Sequence, residues 1–207
     1  GPFTTSTLQQ VSSGRLGYGA SRTMQIAQKL YQGIEIDGET IGLITYMRTD
    51  GTNLSTDAID TFRKYIKTEF GEEYVPENPA SYSGKKAKNA QEAHEAIRPT
   101  DIMRAPDTIK KYLSPDQHKL YDLIWSRALS SQMKPAQFDR NTITITSSDN
   151  GTICKASGSV IKFDGFLKVM KDNKKDDDED ILPEMRKGPI NIESLMDEQH
   201  FTQPPPR

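Results

Sequence analysis

The sequence predicts an α+β fold: a mainly helical domain over residues 1–135, then a β-rich segment over 136–207. Three observations predict it. In Leu54–Phe70, the residues Ala58, Ile59, Phe62, Tyr65, Ile66 and Phe70 recur at helical spacing, and Gly71 ends the run. Ser114-Pro115-Asp116-Gln117 joins a capping serine, a proline at the first helical position and a glutamine three residues after the serine, which is a capping box. Thr142-Ile143-Thr144-Ile145-Thr146 then alternates with period two ahead of the turn signal Asp149-Asn150-Gly151.

The elements follow in order. Thr5–Leu16 has no clean apolar stripe, so helix is expected there on weak grounds. Ser21 is expected to cap a helix with Met24, Ala27 and Leu30/Tyr31 on one face, stopped by Gly33. Gly38–Thr40 reads as a turn into a strand over Ile41–Tyr46. Glu72–Lys88 holds Pro76, Pro79, Gly84 and a lysine cluster and reads as a loop. The helix opened by Ser114 carries Leu120, Leu123/Ile124, Ala128 and Leu129 and breaks before Pro135. After the alternating strand, Thr152–Ala156 reads as its return. Val160–Val169 reads as a strand pair or one bent strand with Gly165 as a bulge, and Ile190–Leu195 as a last strand. The end at Pro204-Pro205-Pro206-Arg207 is extended and suggests a piece of a longer protein.

Bulk properties narrow the function classes. The chain is 34% hydrophobic and 27% charged, with a net charge of −2. No run approaches the ~18 apolar residues of a membrane span. The opening is rich in Thr, Ser and Gln rather than basic and then apolar, so no signal peptide is expected ahead of Phe3. The single cysteine, Cys154, permits neither an internal disulfide nor a cysteine metal cluster, and a reducing cytoplasm is expected. The acidic run Asp172–Glu184 holds seven acids and two lysines, and reads as a solvated loop. Nucleic acid would therefore be met in a local cleft rather than on a basic face.

Two patches carry the chemistry. Gly42-Leu43-Ile44-Thr45-Tyr46-Met47-Arg48-Thr49-Asp50 delivers a tyrosine from an apolar run, with an arginine two residues later. About fifty residues on lies Asn89-Ala90-Gln91-Glu92-Ala93-His94-Glu95-Ala96-Ile97-Arg98-Pro99-Thr100. Together they resemble the active-site tyrosine segment and the histidine segment of the type IA DNA topoisomerases. The opening Pro2-Phe3-Thr4-Thr5-Ser6-Thr7-Leu8-Gln9-Gln10 and the closing Gln199-His200-Phe201-Thr202-Gln203-Pro204-Pro205-Pro206-Arg207 resemble the bacterial topoisomerase I branch of that family. One departure is Gly51, where bacterial members commonly carry serine.

The residue types suit that chemistry. A strand that must be resealed has to be cut by transesterification, which conserves the energy of the phosphodiester. A tyrosine phenolate is both nucleophile and fair leaving group, although a free phenol, with a pKa of ~10, needs help to lose its proton. Charge builds on the phosphate oxygens, and a positioned cation stabilises it. Tyr46 is the candidate nucleophile, and Arg48 could hold the scissile phosphate bidentately. A strand continuing that far would put the two on one face. Thr49 and Asp50 are candidates for shaping the DNA site and orienting Arg48.

The resemblance implies more. Tyr46 would form a 5′-phosphotyrosyl link with single-stranded DNA, and His94 would contact phosphate near the cleavage site. Arg98 would share the His94 face in a helical segment. Residues 136–207 would form one leg of a β-rich arch. The Mg2+ carboxylates would lie in a preceding domain, not in this chain, and the partners would be DNA and the remaining domains of the same polypeptide, with no membrane. The enzyme would relax negatively supercoiled DNA, with this fragment inactive alone.

Blander readings stand beside these. Arg48 could pair with Asp50. His94 could be a helix-surface histidine beside Glu92 and Glu95, and Arg98-Pro99 could simply end a helix. His118 and His200 read as structural. A topoisomerase III or reverse gyrase fragment remains open, as do a helix-turn-helix module with Ser21–Gln32 as recognition helix and an interaction module without nucleic acid.

Overall fold

A computed structural model describes residues 1–82, 95–147, 151–170 and 188–189. It is an α+β arrangement, with helices first and a long two-stranded ribbon last. The helices are α1 (Thr5–Leu16), α2 (Ala20–Gln32), α3 (Thr56–Glu69), the single turn α4 (Pro106–Ile109) and α5 (Pro115–Ser130). A short antiparallel hairpin, β1 (Ile34–Ile36) and β2 (Glu39–Ile41), follows α2.

Helix α1 forms without an apolar stripe because both of its ends are closed. The Thr4 and Thr7 side chains make a reciprocal capping box, and Gly17, left-handed at φ 68°, donates to the Ser13 carbonyl at the other end. Inside it, only Leu8 and Ser12 are buried. Helix α2 starts earlier than expected, with Gly19 rather than Ser21 at its cap. It buries Thr23, Ile26, Ala27 and Leu30. Tyr31 lies outside that face and is 41% exposed. Helices α3 and α5 follow their patterns. Ser55 caps α3, and the Ser114–Gln117 box opens α5 with bonds of 2.8 and 3.3 Å.

The core gathers around α5, whose Leu120, Tyr121, Ile124, Ala128 and Leu129 are fully buried. Burial first, then the Asp101 charge, pushes the Tyr121 phenol well above its usual pKa. Its hydroxyl donates to the Arg104 carbonyl at 2.8 Å, so the buried oxygen is not orphaned.

Strands β3 (Gln137–Thr146) and β4 (Ile153–Phe163) pair antiparallel from Gln137↔Phe163 to Thr146↔Ile153, with a bulge near Phe138. The expectation for Val160–Val169 is corrected here. β4 is one strand that stops at Phe163, and Gly165–Lys168 turns into a 3-10 helix. Gly165 is a close-approach residue rather than a bulge. It sits at φ 49°, and a Cβ there would meet the Lys134 carbonyl oxygen at 2.5 Å. Phe166 N–H donates to that same carbonyl, and Tyr74 O–H donates to Asp164 at 2.7 Å, so the ribbon is rooted on the helical part. The Ile190–Leu195 strand and the acidic run lie outside the described residues.

The strand expected over Ile41–Tyr46 is also corrected. β2 ends at Ile41, and within residues 42–46 only Ile44 makes a bridge, to Pro99. The apolar run has two different neighbours instead of one. Leu43 N–H bonds back to the Leu30 carbonyl of α2, while Thr45 N–H bonds to the Arg98 carbonyl.

Candidate functional site

Four short stretches, distant in sequence, meet beneath Tyr46. Phe3 bridges Ile97, Ile44 bridges Pro99, and Asn53 bridges Glu95, so residues 95–99 form the hub of an irregular seam. Leu43, Ile44, Met47 and Ile97 lie under it at 0–1% exposure.

Two threonines act as clasps. Thr45 Oγ1 donates to the Ala96 carbonyl at 2.8 Å and accepts from Arg98 N–H at 3.0 Å. Thr5 Oγ1 donates to the Met47 carbonyl at 2.7 Å and accepts from Thr49 N–H at 2.8 Å. The first clasp holds the chain just before Tyr46, and the second holds it on both sides of Arg48. Burial then alternates along the stretch: Met47 and Thr49 point inward, while Tyr46, Arg48 and Asp50 face solvent. Tyr46 and Arg48 thus share the outer side of a braced loop rather than the face of a strand.

Tyr46 is 47% exposed. Arg48 makes no ion pair with any described residue, so the pairing with Asp50 is not formed. Two open grooves meet at Arg48. One, of about 540 Å3, is lined by Thr4, Thr5, Ser6, Arg48, Thr49 and Asp50. The other, of about 780 Å3, follows α2 from Ser21 to Gln32 and reaches Met47 and Arg48.

The remaining candidates differ. Thr49 is 8% exposed, and its hydroxyl accepts from Gly51 N–H at 3.0 Å, so it shapes the loop from inside. Arg98 lies in the extended seam, so neither a helix face nor a helix end describes it. Its guanidinium is clamped bidentately by Glu95 at 2.7 and 3.0 Å and also donates to the Pro99 carbonyl. Burial alone would raise the Glu95 carboxyl, but hydrogen bonds from Arg98 and from Ser55 N–H outweigh it and hold the pKa below the ordinary value. His94 lies outside the described residues. His118 sits on α5, with its Nε2 3.9 Å from the Asp107 carboxylate.

Among the described residues no group of three or more His, Cys, Asp and Glu side chains could hold a metal ion. No helix among them is long and apolar enough to cross a membrane.

Sequence reasoning missed Tyr31. Its ring stands against Tyr46 with centroids 5.3 Å apart and planes at 62°. Helical spacing put it on the inner face, and only its contact across the fold marks it out.

Comparison with known proteins gives a consistent result. A family model described as DNA topoisomerase matches residues 1–207. DNA topoisomerase 1 of Rickettsia felis is 49% identical over 210 residues, which cover 100% of this chain and 27% of that protein. The Xylella fastidiosa and Haemophilus influenzae proteins of the same name are 47% and 46% identical, and the chain covers 26% and 22% of their lengths. The solved structure of full-length topoisomerase I from Thermotoga maritima superposes with a TM-score of 0.72 at 43% identity, over 84% of this chain and 27% of that one. The chain thus spans about a quarter of the length of these relatives.

Proposed function

Because the chain belongs to the DNA topoisomerase family, as a segment of a bacterial type IA enzyme, we propose that Tyr46 is the nucleophile that cuts one DNA strand. The phenolic oxygen attacks a backbone phosphorus, the 3′-oxygen leaves, and a 5′-phosphotyrosyl bond replaces the phosphodiester. The reverse attack reseals the strand. The intact enzyme would relax negatively supercoiled DNA by this cycle in the bacterial cytoplasm, with a single-stranded segment as its substrate. The relatives named DNA topoisomerase 1 favour this branch over topoisomerase III or reverse gyrase.

The observation that carries the reading is the exposed pair on a braced loop. Tyr46 and Arg48 face solvent while Thr45, Met47 and Thr49 are tied down on either side. A nucleophile must reach its phosphorus yet not wander, and this arrangement meets both needs. Arg48, free of ion pairs among the described residues, has donors available for phosphate oxygens. The N-terminal end of α1 lines the same groove and adds partial positive charge.

Asp50 would orient Arg48, and Thr49 would hold the loop that carries both. Arg98 would act as structural support through Glu95 rather than as a free phosphate contact. His94 is retained as a phosphate contact on the resemblance alone. Residues 1–135 would be the helical domain that presents the tyrosine, and 136–207 a leg of the arch. Magnesium would be held by another domain of the intact enzyme, and this segment alone would not relax DNA.

The test uses the full-length enzyme, wild type and Tyr46→Phe, with 3′-labelled single-stranded oligonucleotide and magnesium, stopped with detergent. Label bound to the wild type and absent from Tyr46→Phe is expected. Label persisting on Tyr46→Phe would sink the assignment.

A further inference from the structure

Tyr31 is an exposed aromatic residue that touches another exposed aromatic residue, and core packing does not account for such a contact. Backbone geometry fixes it in place. The Leu30 carbonyl accepts from Leu43 N–H at 2.8 Å. A Cβ on Gly42 would meet the Tyr31 carbonyl oxygen at 2.7 Å, so only glycine lets the two chains approach this closely. The end of α2 and the stretch leading to Tyr46 are therefore packed backbone to backbone, and the two rings are carried on them.

Tyr46 is 47% exposed, and Tyr31 is its one aromatic neighbour among the described residues. Among the described residues its hydroxyl has no hydrogen-bond partner. An exposed tyrosine can hop between staggered χ1 wells, and only one of them aims the oxygen at a given point. The Tyr31 ring packs edge-on against the Tyr46 ring, with centroids 5.3 Å apart and planes at 62°.

We propose that Tyr31 is a positioning residue: its ring selects the Tyr46 rotamer that presents the phenolic oxygen to the phosphate bound by Arg48. This rests on the reading of Tyr46 as nucleophile. Loss of the ring would leave DNA binding in place and reduce the fraction of Tyr46 poised to attack.

The test uses the full-length enzyme with Tyr31→Leu, Tyr31→Gln and Tyr31→Phe, beside Tyr46→Phe. Single-turnover formation of the covalent complex is followed at saturating 3′-labelled oligonucleotide with magnesium. Affinity for the same oligonucleotide is measured by anisotropy with each Tyr31 substitution placed in the Tyr46→Phe background. Tyr31→Leu should slow the saturated rate on the order of tenfold, with Kd changed by less than about twofold. Tyr31→Phe should restore the rate. Tyr31→Gln, suited to an exposed helix end, stands in should Tyr31→Leu melt early. Wild-type speed without the ring overturns the proposal, as does a loss carried wholly by Kd, which would make Tyr31 a base-stacking platform. Tyr31→Phe as slow as Tyr31→Leu also overturns it. If Tyr46→Phe still captures label, the nucleophile reading itself fails; if it is silent while Tyr31→Leu runs at full speed, only this inference fails.

Discussion

The seam beneath Tyr46 and the β3–β4 ribbon are both made of extended chain, yet they are built in opposite ways. The ribbon pairs near neighbours in sequence, residue against residue, and most of its side chains face solvent. The seam has almost no regular pairing, and joins residues 42 to 58 positions apart through threonine hydroxyls over a dry floor. The contrast teaches where precision is stored. A surface loop such as the one proposed to hold the nucleophile gains rigidity from long-range ties, while a ribbon can be regular with few of them.

The largest expected effect tests the floor of the seam. Ile97 is fully buried, and its N–H donates to the Phe3 carbonyl at 2.9 Å. Ile97→Ala should cost about 2–5 kcal/mol, as core truncations to alanine do. Urea unfolding measures it. A cost below about 1 kcal/mol would show that the seam is no more tightly built than the ribbon.

A middle-sized effect concerns Glu95, whose carboxylate joins Arg98 and Ser55 N–H to the hub. Its folded pKa is depressed, so the stability it adds is present above the unfolded glutamate value of ~4.3. That contribution fades as pH falls through the lower folded value. Glu95→Gln should therefore be less stable than wild type at neutral pH, by about 1–3 kcal/mol. The gap should close in acid. Thermal unfolding of both proteins from pH 7 to pH 3 reads it, and a gap independent of pH would remove the carboxylate charge from the account.

Much of the helical part was legible in the sequence because its signals are local. The Ser114–Gln117 box and the α3 stripe specify their helices within a few residues. Helix α1 was harder, since its capping threonines and Gly17 do more than any stripe. The seam was not legible at all. Hydrophobic periodicity does not record a threonine hydroxyl bonded to a carbonyl fifty residues away, and the apolar run Leu43–Ile44 looks the same whether its partner is a strand or two loops. Gly165 reads as a bulge and nothing local singles out Gly42, because the backbone each one admits comes from elsewhere in the chain. Tyr46 and Arg48 are candidates because their own segment resembles a known one, whereas Tyr31 becomes a candidate only through the fold. Glu95 explains why Arg98 is occupied, although the pair forms in extended chain rather than on a helix.

The smallest expected effect belongs to the ribbon. Ile153 opens β4 opposite Thr146 and is 59% exposed. Ile153→Thr keeps a β-branched side chain, so the strand preference survives. Little buried apolar surface is lost, and the change should stay within about 0.5 kcal/mol. The same unfolding measurement on this chain and on the full-length enzyme makes it informative. Phe138, Val160 and Ile161 are also 44–48% exposed, so the ribbon carries several apolar side chains in contact with water. Should Ile153→Thr cost more than about 1 kcal/mol only in the full-length enzyme, the ribbon face is covered there, and its looseness belongs to this chain alone. An equal, small cost in both would mean that the ribbon remains anchored only at its root, where Tyr74 holds Asp164 and Gly165 slides under Lys134.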